Sequence, residues 1–131
     1  ICYEIAYPQL VAQQAATAKV ILTVSNDTWF ERSLAPWQHI QMAQMRAIEN
    51  GKPVVRSTNS GVSALINAAG QITHMAPLYE RAEITGEVTL MSGQTPYNTG
   101  LNWPIFLLSL GLLGCGLGRH FLGFFPIRMK P

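Results

Sequence analysis

Residues 19–50, KVILTVSNDTWFERSLAPWQHIQMAQMRAIEN, contain the two patterns that decide the fold. The first, KVILTVS at residues 19–25, is a short run of apolar and β-branched side chains, which is typical of a buried strand. The second, over residues 36–50, places apolar side chains at helical spacing and ends at Asn50-Gly51, a helix stop signal. These residues therefore predict a strand followed by an amphipathic helix.

The sequence on either side predicts further helices and strands. Residues 8–18 predict a helix with Pro8 in its first turn, where the missing N–H does no harm. Short strand-like segments separated by turn-forming residues follow the second helix, at residues 53–57, 62–66 and 72–75. This order of elements predicts a layered α/β domain.

Charged side chains are scarce and unevenly distributed. They make up 12% of the 131 residues, against about 25% in ordinary soluble domains, and 48% of the residues are hydrophobic. This composition argues against intrinsic disorder and against a nucleic-acid partner. Residues 1–100 contain six basic and seven acidic side chains, whereas residues 101–131 contain three basic and none acidic.

Residues 88–118 carry no charged side chain and include a long apolar run. Residues 103–118, WPIFLLSLGLLGCGLG, are almost entirely apolar, which predicts a transmembrane helix, with a buried core helix or hairpin as the alternative. Trp103 stands at one end, where an interfacial aromatic residue is expected. The basic residues Arg119, His120, Arg128 and Lys130 follow the other end. By the positive-inside rule, this arrangement places the C-terminus in the cytoplasm and residues 1–100 outside it.

Cys2 is the candidate nucleophile. It precedes the helix that opens near Pro8, so we expect it in a turn where helix N-terminal N–H groups favour the thiolate and can donate to an oxyanion. The alternative is that Cys2 is a small buried hydrophobic residue. Glu4 either accepts a hydrogen bond from backbone or a substrate amine, or is simply an acidic residue favoured at a helix start.

Polar residues follow two of the predicted strands. In open α/β sheets, ligands bind beyond the carboxyl ends of strands, so SNDTWF at residues 25–30 is predicted to line a pocket, and RSTNSG at residues 56–61 ends a strand in the same sense. The alternative is that Asn26 and Asp27 only form an Asx turn and that Trp29 is a core residue.

His39 is interpreted as a packed, hydrogen-bonded residue rather than as a general base for Cys2. The three histidines are far apart in the sequence, and there is no phosphate-binding glycine loop, paired-cysteine motif or zinc-protease motif. We therefore expect no cofactor and no metal site. The chain opens at Ile1 without Met or a signal peptide, which predicts a C-terminal fragment of a longer protein.

Six blocks of sequence then carry a resemblance. They are ICYE at residues 1–4, SNDTWF at 25–30, PWQH at 36–39, RAIENGKP at 46–53, RSTNSGVSALI at 56–66 and GQTPY at 93–97. In this order they resemble the C-terminal part of the bacterial apolipoprotein N-acyltransferases, the membrane-bound branch of the nitrilase superfamily. The resemblance covers nearly all of the chain.

The resemblance implies a nitrilase-type αββα sandwich. Residues 1–98 would form the C-terminal half of this catalytic domain, residues 99–120 one transmembrane helix with its lead-in, and residues 121–131 a cytoplasmic or interfacial tail. The protein would reside in the bacterial inner membrane, with its catalytic domain in the periplasm.

The resemblance also implies a reaction. A cysteine takes an acyl chain from a phospholipid as a thioester and yields it to the N-terminal amine of the diacylglyceryl-cysteine of an apolipoprotein. Cys2 matches the nucleophile, Tyr3 and Glu4 match its supporting residues, and Trp29 matches a pocket position. The catalytic glutamate and lysine of the family lie upstream of this cysteine, so we expect these 131 residues alone to be inactive and to fold poorly.

Two other functions stay open from the residues. One is a membrane-tethered amidase that uses the same cysteine with water as the acceptor. The other is a non-catalytic anchored domain that binds a partner.

Overall fold

A computed structural model describes residues 3–30, 32–100 and 102–123, with the backbone only for residues 117–123. The chain divides into two compact units, Ile1–Thr99 and Gly100–Pro131. The first unit is a mixed α/β structure, and the second contains one long helix.

The elements of the first unit follow the predicted order. A 3₁₀ helix at Glu4–Ala6 precedes the first α-helix, and another at Thr28–Phe30 follows the first strand. The α-helices and strands are α1 Pro8–Ala15, β1 Ile21–Ser25, α2 Ala35–Asn50, β2 Val54–Thr58, β3 Ala64–Ile66, β4 Ile72–Met75 and α3 Pro96–Gly100. The predicted types of the two long helices and four strands are confirmed, although α1 ends three residues earlier than predicted.

Helix α2 ends where the sequence predicts. Gly51 adopts a left-handed conformation (φ 60°, ψ 32°), and its N–H donates to the carbonyl oxygens of Ala47 and Ile48. Glycine occupies this conformation without the steric penalty that a Cβ imposes. The Asn50-Gly51 stop signal is thus confirmed by the geometry of the cap.

The four strands form one sheet in the order β1-β2-β3-β4. Strands β1 and β2 are parallel, with Thr23 opposite Arg56 and Ser25 opposite Thr58. The pairs β2–β3 and β3–β4 are antiparallel. Apolar side chains from both helices and the sheet form one core, which consists of Ile5, Val11, Ile40, Ala43, Ala47, Val54, Val62, Ala64 and Ile66.

Strand β1 buries two polar side chains and exposes two apolar ones, while Ile21 packs partly buried against the core. Thr23 and Ser25 are buried, whereas Leu22 is 70% exposed and Val24 51% exposed. Side chains alternate between the two faces of a strand, so the buried face of β1 carries hydroxyl groups toward the helices. The other face carries the largely exposed apolar side chains of Leu22 and Val24.

The second unit contains α4, Trp103–Gly123. Its large apolar side chains are exposed as far as residue 113, from Trp103 at 69% to Leu113 at 63%. Among the described residues, no helix is both long and apolar enough to cross a bilayer.

Candidate functional site

The carboxyl ends of β1 and β2 bring the two predicted strand-end segments together. Because these strands are parallel, the residues that follow them emerge at the same edge of the sheet. Asn59 connects the segments: its Nδ2 donates to Asn26 Oδ1 at 2.7 Å and to Thr28 Oγ1 at 2.8 Å. Its Oδ1 accepts from the backbone N–H of Asp27 at 3.2 Å. One amide side chain therefore joins both turns.

Asp27 is the centre of a buried polar cluster. Its side chain has no exposed surface, and Arg56 Nη2, equally buried, donates to its Oδ2 at 2.8 Å. The hydroxyl of Ser25 donates to Oδ1, and His39 Nδ1 lies 3.1 Å from the same oxygen. A hydrogen bond from His39 to this oxygen requires the tautomer that carries its proton on Nδ1. Close pairing of this kind offsets the cost of removing charge from water.

Gly61 allows the second turn to close over this carboxylate. A Cβ built at Gly61 would lie 2.0 Å from Asp27 Oδ2 and 2.7 Å from its Cγ. No side chain fits at that separation, so this turn approaches Asp27 only because residue 61 is a glycine. The requirement links the NSG turn to the NDTWF segment by packing as well as by hydrogen bonds.

The described residues nearest the candidate nucleophile lie beside this cluster. Cys2 itself is outside the described residues. Tyr3 is 53% exposed, and its ring centroid lies 6.1 Å from that of His39 and 6.0 Å from that of Tyr7. Glu4 is half-buried and opens the 3₁₀ helix Glu4–Ala6. Tyr3 thus contacts His39 of the cluster, while the roles of Cys2, Tyr3 and Glu4 stay predictions.

Trp29 lies in the 3₁₀ helix Thr28–Phe30 and is 86% exposed. The interpretation of Trp29 as a core residue is therefore wrong, because its indole ring has almost no covering neighbours. The Asx turn is present, since Asn26 Oδ1 accepts from the N–H of Thr28 at 3.2 Å. Asp27 does more than form a turn, because its carboxylate belongs to the buried cluster. The pocket role of Trp29 stays a prediction.

His39 is 3% exposed and hydrogen-bonded, which confirms its interpretation as a packed residue. The sequence patterns did not predict that His39 pairs with Asp27, which Arg56 also holds. One signal was available: both charged residues stand at or just after a strand in a chain that carries few charges. Within the described ranges, no three histidine, cysteine, aspartate or glutamate residues are grouped as a metal site requires.

Comparison with known proteins matches residues 1–97 to the carbon-nitrogen hydrolase family. An apolipoprotein N-acyltransferase of Azotobacter vinelandii is 50% identical to the chain over 120 residues, 92% of the chain and 23% of that protein. Proteins of the same name from Pseudomonas putida and Photobacterium profundum are 48% and 42% identical over 117 and 111 residues, 89% and 84% of the chain. The chain spans less than a quarter of the length of these relatives.

The family match covers the whole α/β unit up to residue 97, which includes both strand-end turns and the buried cluster. Because this match covers more than half of its residues, the chain belongs to the carbon-nitrogen hydrolase family.

Proposed function

We propose that these residues work within a longer enzyme that transfers a fatty acyl chain from a phospholipid to apolipoproteins, with Cys2 as the nucleophile. One observation carries the proposal. Similarity to relatives named apolipoprotein N-acyltransferase extends over 120 residues, whereas the general carbon-nitrogen hydrolase match ends at residue 97. The likeness therefore continues into α4, beyond the part that hydrolases of the family share.

The proposed chemistry has two steps. The Cys2 thiolate attacks the carbonyl carbon of a phospholipid ester, and the tetrahedral intermediate collapses to a thioester with release of the lysophospholipid alcohol, which takes up a proton. The amine of a diacylglyceryl-cysteine then attacks the thioester, forms an amide, loses a proton and expels the thiolate. Dividing the transfer in this way lets two bulky lipid substrates use one site in turn.

Three further residues have proposed roles in this reaction. Tyr3 and Glu4 support the nucleophile, and Glu4 can accept a hydrogen bond from the attacking amine. Trp29 contributes to the substrate pocket, and its 86% exposure leaves a large apolar surface available to a lipid. Aminolysis has to outrun hydrolysis of the thioester, which requires a site from which water is excluded.

We further propose that residues 99–120 form a membrane helix and residues 121–131 a cytoplasmic or interfacial tail, with the catalytic domain in the periplasm. The exposed apolar side chains of α4 and the absence of acidic residues after residue 100 support this arrangement. For the first unit we propose half of an αββα sandwich. The uncovered Leu22 and Val24 face of β1 is the surface against which a second sheet would pack.

An amidase that acts on a soluble carbon-nitrogen bond is the second candidate, because the family match itself is to carbon-nitrogen hydrolases. The two candidates share the cysteine and differ both in the acyl donor and in the acceptor, which is water for the amidase and an amine for the transferase. A non-catalytic binding domain is the third candidate, and its function would not depend on Cys2.

The test measures the intact mass of the longer protein after incubation with phospholipid. We expect the wild-type protein to gain the mass of one acyl chain, and hydroxylamine to remove it. Cys2→Ser should form no adduct that hydroxylamine can remove. On addition of a diacylglyceryl-cysteine peptide, the acyl chain should move from the wild-type protein to the peptide. Cys115→Ser is the matched control and should acylate normally, because the second cysteine lies in α4. A folded wild-type protein that gains no mass from active lipid contradicts the proposal and favours an amidase or a binding domain.

A further inference from the structure

The buried cluster at the ends of β1 and β2 has no task in the thioester chemistry proposed above. The side chains of Asp27 and Arg56 have no exposed surface, and that of His39 is 3% exposed. Removing such groups from water is costly, and only close pairing offsets the cost. Such a fixed cluster can hold neighbouring side chains in place.

His39 connects the cluster to two aromatic side chains. Its ring centroid lies 6.1 Å from that of Tyr3 and 6.0 Å from that of Phe30, the second pair meeting edge to face at 88°. Favourable aromatic pairs have centroids about 4.5–7 Å apart. Tyr3 directly follows Cys2, and Phe30 directly follows Trp29. The imidazole thus touches the chain neighbours of two predicted site residues.

The opposite side of the imidazole is anchored. Its Nδ1 lies 3.1 Å from Asp27 Oδ1, and Arg56 holds the other carboxylate oxygen at 2.8 Å. Gly61 packs against that same oxygen, which restricts the rotation of the carboxylate. The hydrogen bond to a fixed carboxylate restrains the orientation of the imidazole ring, and both aromatic partners pack against the ring in that orientation.

We propose that His39 is a positioning residue for thioester formation. Asp27, held by Arg56, fixes the imidazole plane. The imidazole fixes Tyr3 and Phe30, and with them the position of Cys2 relative to the segment that carries Trp29. A displacement of about 1 Å can cost about 100-fold in rate, so this support bears directly on catalysis. The inference rests on the proposed function, because it assigns a task in the first step of that reaction.

Two substitutions in the longer protein separate the contacts of His39. His39→Phe keeps a ring between Tyr3 and Phe30 and loses the bond to Asp27, whereas His39→Gln keeps a donor for Asp27 and loses the ring. With phosphatidylethanolamine as the donor, we expect each to lower the maximal rate of thioester formation by about 10- to 100-fold. The phospholipid concentration that gives half the maximal rate should change by less than about twofold.

His74 provides the matched control, because it is an exposed histidine on β4. His74→Phe and His74→Gln should leave both kinetic values at those of the wild type. Rates within about twofold of wild type for both His39 variants overturn the proposal.

A double-mutant cycle shows whether the effect passes through Tyr3. In Tyr3→Ala protein the ring contact is absent, so adding His39→Gln should lower the rate by less than about threefold further. A purely structural role of His39 would lower the rate equally in both backgrounds. An undiminished loss in the Tyr3→Ala background therefore overturns the proposal.

The rate at which iodoacetamide alkylates Cys2 reports the placement of the thiol without any phospholipid. A wild-type protein that forms no thioester defeats the proposed function. A changed rate of Cys2 alkylation in the His39 variants, with a wild-type rate in the His74 variants, still supports the positioning role of His39. A wild-type alkylation rate in the His39 variants overturns it. Thermal unfolding shows whether each His39 variant is folded. If one is not, Phe30→Leu, which removes the ring contact with His39 from the other side, is measured instead and judged by the same criteria.

Discussion

Two carboxylates, one fully buried and one half-buried, have different surroundings. Asp27 accepts hydrogen bonds from a hydroxyl, an imidazole and a guanidinium within one closed cluster. Glu49, in the last turn of α2, is half-buried and pairs with Arg46, at 3.0 Å from Nε to Oε2. Burial raises the pKa of Glu49, and the neighbouring Arg46 offsets only part of the increase. A raised pKa makes the contribution of Glu49 to stability depend on pH.

The sign of that dependence follows from proton linkage. Because its pKa is raised, Glu49 binds a proton more tightly in the folded protein than in the unfolded protein. The free energy of unfolding therefore falls as pH rises from the ordinary glutamate pKa, about 4.3, through the raised pKa of the folded protein. Glu49→Gln cannot lose a proton. We therefore expect its melting temperature, relative to that of the wild type, to increase across this pH interval when the longer protein is melted at a series of pH values.

Glu83→Gln serves as the control for Glu49→Gln, because Glu83 is exposed. Its melting temperature should follow that of the wild type at every pH. A difference between Glu49→Gln and wild type that stays constant with pH would show that burial does not govern the protonation of Glu49.

At the scale of elements, the ends of α2 decide where the site residues lie. Pro36 stands in its first turn and Gly51 terminates it, which places His39 one turn into the helix. Beyond Gly51 the chain enters β2, whose parallel pairing with β1 sets Arg56 opposite Thr23. The cap thus helps to set the register that brings Arg56 to Asp27.

Gly51→Ala should destabilise the protein through this cap. A Cβ in the left-handed region costs about 1 kcal/mol, and at Gly51 it would also lie 3.0 Å from Thr95 Cγ2. We expect a lower melting temperature in thermal unfolding of the longer protein. Gln41→Ala, at an exposed position of the same helix, should change the melting temperature little. Equal effects of the two substitutions would contradict the role of the cap.

At the scale of the whole α/β unit, Lys52 ties distant parts of the chain together. It is 1% exposed, and its Nζ donates to the carbonyl oxygens of Met91 at 2.9 Å and Gly93 at 2.7 Å. The N–H of Met91 donates in turn to the carbonyl of Lys19 at 3.1 Å. Residues 91–95 have no strand or helix of their own, so these side-chain and loop bonds hold them in place.

Lys52→Met should release residues 91–95, because it keeps the length of the side chain and removes the donor to both carbonyls. Hydrogen–deuterium exchange of the longer protein should show faster exchange at the Met91 amide, with protection of β3 unchanged. Lys19→Met is the control, since Lys19 is exposed and contributes its backbone carbonyl. Unchanged exchange at Met91 in Lys52→Met would contradict this view of the segment.

The sequence by itself determined the kinds and order of the first two α-helices and the four strands of the α/β unit, whereas α3 and the two 3₁₀ helices were not predicted. The β-branched run of β1, the helical spacing of α2 and the Asn50-Gly51 stop are local patterns, so they can be recognised without knowing which distant residues pack against them. The same residues determined that the ends of the first two strands would carry the polar segments. The resemblance to a family of cysteine enzymes likewise depended on short blocks of sequence alone.

Only the tertiary structure decided which side chains meet. His39 lies 12 residues and Arg56 29 residues from Asp27 along the chain, and no local pattern marks them as partners. A buried charge is tolerated only where its partners converge, and this convergence depends on the parallel register of β1 and β2 and on the space left by Gly61. The exposure of Trp29 and the burial of Lys52 were settled in the same way, because burial is a property of packing between elements.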